Sequence, residues 1–84
     1  MKRIATAANT VVPALLVLER LGFTVIVDQA SSPPHVRASR GDEEYMADGP
    51  VAVLGLVRLI EARTWDWKPT DAEIVDALQR YDLG

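Results

Sequence analysis

Hydrophobic and polar positions alternate with three different rhythms along this chain, and each rhythm predicts an element. From Val11 to Leu21 the run VVPALLVLERL is apolar on nearly every side, with Glu19 and Arg20 its only charges, as in a helix covered all round. Asn9 or Thr10 can cap it, Pro13 falls in its first turn, and Gly22 stands where a left-handed C′ residue is needed, so the first helix is expected over 10–21. FTVIVDQ then switches to period two, setting Phe23, Val25 and Val27 against Thr24, Ile26 and Asp28, the pattern of a strand with one better-buried face. ASSPP must be a loop, because Pro33 and Pro34 remove two ladder donors.

His35 to Ser39 predicts a second strand and EEYMA a third, joined through Gly41-Asp42 by a tight hairpin. Connections this short cannot make parallel crossovers, so the sheet is expected to be an antiparallel meander. The second helix opens at Gly49-Pro50 and runs to about Arg63. On it Val53, Leu56, Val57, Leu59 and Ile60 form the arc expected to face the core, which leaves Val51 and Leu54 on the side of Arg58 and Glu61. Thr70 and Glu73 make a capping box for a third helix, which gathers Ile74, Val75, Ala77, Leu78 and Tyr81 on one side and Glu73, Asp76 and Arg80 on the other. The expected fold is α+β, a single domain over 1–84 in the order αβββαα, with a three-stranded antiparallel meander packed against helices.

Composition narrows the chemistry. The 84 residues contain no cysteine and one histidine, which removes disulfides, thiolate metal sites and thiol nucleophiles, and no metal or other cofactor is expected. Formal net charge is −3 and pI about 4.9. A nucleic-acid partner is therefore not expected, since a phosphate backbone is repelled on average, and the acidic third helix argues against a helix-turn-helix regulator. No apolar run approaches the ~20 residues of a membrane span. Lys2 and Arg3 before VVPALLVL resemble a secretory signal, but Asn9 and Thr10 interrupt the run and Glu19 and Arg20 follow it, so a cytoplasmic setting is expected.

Thr6 to Asp28 has the loop, helix, strand and terminal acid of a dinucleotide-binding unit, yet TAANT supplies none of the glycines that would let backbone amides approach a pyrophosphate. Asp28 is accordingly expected to end a strand or make a turn. His35 has Arg37 on its own strand face but no acid–base partner evident from spacing, Ser31, Ser32 and Ser39 lack a nucleophile elbow, and no catalytic residue is assigned. A small-ligand site or enzyme near His35, Arg37 and Trp67 is the alternative reading, and it requires those three side chains to converge. Trp65 is expected to close the core over the end of the second helix, with the ring of Trp67 pointing the other way.

VLGLVRLIEARTWDWKPTDAEI, Val53 to Ile74, preceded by VRAS, YMAD and PALLVLERLGFTV, resembles a group of small bacterial proteins with no known activity. The resemblance implies the same order of elements and a bacterial cytoplasmic setting, and transfers no site residue. The strongest functional expectation comes from the helices, whose apolar surface exceeds what one small domain can hide. It points to a non-enzymatic protein-interaction module, expected as a homodimer with Val51, Leu54, Arg58 and Trp67 at an interface. A narrower form is an inhibitor or immunity-type protein whose acidity suits a basic protein partner.

Overall fold

The computed structural model describes residues 1–6, 9–30 and 35–83. Six elements follow in the expected order: α1 (Val11–Arg20), β1 (Thr24–Asp28), β2 (His35–Arg40), β3 (Glu43–Ala47), α2 (Pro50–Arg63) and α3 (Asp71–Arg80). The fold is α+β. The strands form one antiparallel sheet in the order β1-β2-β3, with Val25 opposite Ala38 and Ala38 opposite Tyr45. Gly41, at φ +61°, opens the two-residue hairpin between β2 and β3, the backbone region glycine enters without steric cost. The loop expected at ASSPP lies, apart from Ala30, outside the described residues.

The α1 terminus shows how locally the chain is directed. Gly22 adopts φ +94°, Phe23 N–H donates to Leu18 O at 3.1 Å, and Gly22 N–H donates to Glu19 O at 3.0 Å. These two bonds make a Schellman cap, and its accompanying apolar pair, Leu18 and Phe23, is buried in the core. The other end departs from expectation. Thr10 makes no side-chain cap; its hydroxyl donates instead to Thr6 O at 3.1 Å, and its backbone is already helical.

α1 and α2 pack on each other and on one face of the sheet, α1 against β1 and α2 against β2 and β3. Between them lies a core of Leu18, Phe23, Val36, Ala38, Tyr45, Val53 and Val57, edged by Val25, Ala47, Leu54 and Ile60. Helix α2 is therefore turned relative to its expected arc. Pro50, Val53 and Val57, three and four residues apart, face the sheet; Leu54 packs at the core edge, while Leu56 and Leu59 are exposed. The reason is that α2 is apolar nearly all round, so the buried stripe is set by where the sheet lies and not by a contrast in the helix itself.

α3 forms as a helix without packing on the body. Thr70 Oγ1 accepts from Glu73 N–H at 3.2 Å and Glu73 Oε1 accepts from Thr70 N–H at 2.9 Å, completing the capping box, and Asp76 pairs with Arg80 at 2.8 Å. None of its residues is buried, and from Glu61 to Leu83 every residue except Ala77 is exposed. Among the described residues, no helix is long and apolar enough to cross a membrane.

Candidate interaction surface

An aromatic ladder runs from the core outward. Phe23 meets Tyr45 edge-on at 5.6 Å, and Trp65 stacks on Tyr45 at 5.7 Å and 23°. Tyr45 is held by its hydroxyl, which donates to Glu43 Oε1 at 2.9 Å. Burial first, then the bond to Glu43 and that carboxylate's charge, raise the Tyr45 phenol above its ordinary value. Glu43 in turn pairs with Arg40 at 3.2 Å, and Arg40 lies 4.2 Å over the Phe23 ring and donates to Leu21 O at 2.8 Å. Arg40 thus ties the end of α1 to the β2–β3 hairpin. Its guanidinium is therefore engaged within the fold.

Past Tyr45 the surface opens into a groove of about 240 Å³ lined by Glu44, Tyr45, Met46, Leu56, Leu59, Ile60, Trp65 and Trp67. Its walls are β3, the exposed side of α2, and the connection that follows α2. Both tryptophans face this groove, so they do not diverge as expected, and Trp65, 59% exposed, covers Tyr45 without closing the core. Arg63 organises the connection. Its Nε donates to Trp67 O at 3.0 Å and its Nη2 donates to Glu73 Oε1 at 3.2 Å, which joins the end of α2, the tryptophan loop and the start of α3. The bond from Thr70 N–H, followed by Arg63, holds the Glu73 carboxyl below its ordinary value. At Thr64 the chain leaves α2 with φ 60° and ψ −171°, a region nearly restricted to glycine.

With one acid among apolar and aromatic walls, the groove is suited to taking up apolar side chains. Beside it, α3 presents Ile74, Val75, Leu78 and Tyr81 on its apolar face, all exposed. α1 adds Val12, Leu16 and Val17, all exposed.

The residues singled out from sequence are dispersed over this framework. Val51 and Leu54 are half-buried, Leu54 against the core, whereas Arg58 is exposed and Trp67 lines the groove. Leu54 is therefore not the outward-facing residue expected of it, because α2 is turned toward the sheet on that side. His35 lies beside Asp28, with Nε2 and Oδ2 3.5 Å apart, and lines a second cavity, of about 300 Å³, with Val11, Leu15, Val36 and Pro50. Asp28 also accepts from Ala30 N–H at 3.0 Å, the turn role expected of it. Arg37 stands opposite Ile26 and Met46 in the sheet, and its Nε is buried with no hydrogen-bond partner among the described residues. No described cavity brings His35, Arg37 and Trp67 together. The groove residues missed from sequence are Met46, Leu56, Leu59 and Trp65. The available signal was the pairing of two tryptophans two residues apart with the side of α2 that follows Leu56 and Leu59.

Compared with protein-family models, with curated proteins and with solved structures, the chain matches none of them.

Proposed function

We propose that this chain is a non-enzymatic protein-interaction module that works as a homodimer. The observation carrying this reading is the unpacked apolar face of α3. The whole chain has an accessible surface of 6789 Å², whereas a folded monomer of 9.2 kDa exposes about 4,900 Å². The Cα radius of gyration, 15.2 Å, likewise exceeds the ~12 Å of a compact domain of this length. The excess of about 1,900 Å² is more than twice the ~800 Å² each partner gives to a standard interface. The exposed first six residues share in it, yet the greater part of the uncovered apolar surface lies on α1, the groove and α3. The finer form of the same reading is a bacterial cytoplasmic setting, which rests on the sequence resemblance, and an inhibitor or immunity-type role toward a basic protein, which the net charge of −3 favours.

Sedimentation equilibrium between 1 and 100 µM tests the assembly. A mass twice 9.2 kDa is expected; a single-chain mass throughout that range would refute the homodimer.

A further inference from the structure

We infer that α3 of one copy lies in the Tyr45–Trp67 groove of a second copy, and that the exchange is reciprocal. This rests on the homodimer reading and specifies its geometry. The chain carries both halves of a contact and closes neither: a helix with Ile74, Val75, Leu78 and Tyr81 exposed, and an apolar groove walled by Met46, Leu56, Leu59 and the two tryptophans. The connection explains why one chain does not close on itself. Trp65 and Trp67 belong to the segment leading into α3, and only Lys68-Pro69-Thr70 separate Trp67 from the helix, so three residues would have to carry out a reversal that lays α3 back over a groove its own connection builds. Arg63 opposes that reversal, since it holds Trp67 O and Glu73 together at the end of α2, and Pro69 stiffens the same step.

A second copy meets neither obstacle. Two α3 helices placed in two grooves about a two-fold axis give a closed assembly in which every copy both donates and receives. The uncovered area is sufficient, as the excess of about 1,900 Å² per chain contains the ~800 Å² per partner that a stable interface takes. Because α3 does not pack on its own body, changes on its apolar face test the contact without removing core packing.

The experiment pairs Leu78→Lys on α3 with Leu59→Glu in the groove, each examined alone and mixed in equal amounts by sedimentation equilibrium at 50 µM, with circular dichroism to verify that both variants remain folded. A lysine or glutamate facing an apolar partner blocks the contact, so each variant alone is expected to sediment as a single chain. In the mixture one contact is unaltered and the other sets the introduced lysine against the introduced glutamate, so a mass near that of two chains returns. Tryptophan emission of the unaltered protein is expected to move to shorter wavelength as concentration rises through the assembly range, because Trp65 and Trp67 become covered. If both variants remain dimeric, the copies join through another surface, such as α1, and the α3 exchange is overturned while the homodimer stands. If Leu78→Lys is a monomer and Leu59→Glu a dimer, α3 pairs with α3 and the groove assignment fails. An unaltered protein that is monomeric at all concentrations overturns both, whether the groove then serves a foreign helix or the chain's own.

Discussion

Replacing Arg40 with methionine keeps an unbranched stem and removes the guanidinium, which isolates what that group does at the junction of α1 and the hairpin. Three interactions are lost: the bond to Leu21 O at 2.8 Å, the pair with Glu43 at 3.2 Å, and the position 4.2 Å over Phe23. A charge-assisted hydrogen bond contributes about 1.5–3 kcal/mol, and partial exposure at this site places it at or below the lower end. The ion pair adds a few tenths, being partly solvated, and the ring contact about 0.5 kcal/mol. Since these terms share one side chain and are not additive, we expect a loss of about 2 kcal/mol. That is a large share of the ~4–13 kcal/mol available to a domain of 84 residues. It corresponds to a midpoint lowered by about 8–16 °C. The assay is thermal and urea unfolding followed by circular dichroism at one fixed protein concentration, because an assembling chain has a concentration-dependent midpoint. Arg80→Met is the comparison: its pair with Asp76 has the shorter distance, 2.8 Å, but is 60% and 66% exposed, and its loss should change stability by at most about 0.5 kcal/mol. Equal effects of the two substitutions would refute the claim that the role of Arg40 depends on tying the two segments together.

Thr64→Gly should raise stability by about 1 kcal/mol, because release of about 1–3 kcal/mol of backbone strain outweighs the ~0.5–1 kcal/mol entropic cost of glycine; a lowered urea midpoint would contradict the assignment of strain. Thr70→Ala should remove about 1 kcal/mol of α3 stability and lower amide protection in α3 while leaving the sheet's protection unchanged, which hydrogen exchange resolves by segment. The lowered Glu73 pKa means that its support of α3 is fully present above its ordinary value of 4.5 and is lost as pH falls through the folded-state value; fading of α3 protection above pH 5 would be inconsistent with this. Tyr45 has the opposite sense: its raised phenol pKa makes its contribution complete below pH 10.0 and lost as pH rises through the folded-state value, so loss of stability traced to Tyr45 at a pH below 10.0, absent in Tyr45→Phe, would contradict it.

The element order was legible because each boundary has its own local chemistry. Gly22 ends α1, Gly41-Asp42 turns the hairpin, Pro50 opens α2, and Thr70 with Glu73 opens α3. Nothing in those signals depends on a distant partner. The orientation of α2 does, and there the reading failed: with Val51, Val53, Leu54, Leu56, Val57, Leu59 and Ile60 distributed around the helix, neighbouring choices of buried stripe are nearly equivalent until the sheet is in place. The same reason hid the groove, whose walls come from β3, α2 and the connection after it. α3 marks another limit of pattern reading. Its apolar stripe was plain in the sequence, but a stripe identifies a face that needs cover without identifying what provides it.

The meander joins each strand only to its neighbour in sequence, β1 to β2 and β2 to β3, and Phe23 and Leu18, five residues apart, already meet at the end of α1. A nascent chain therefore closes only short loops to assemble its sheet, and its search is brief. The body should therefore reach its native pairing in a first-order step whose rate is the same at every protein concentration, which refolding at two dilutions checks.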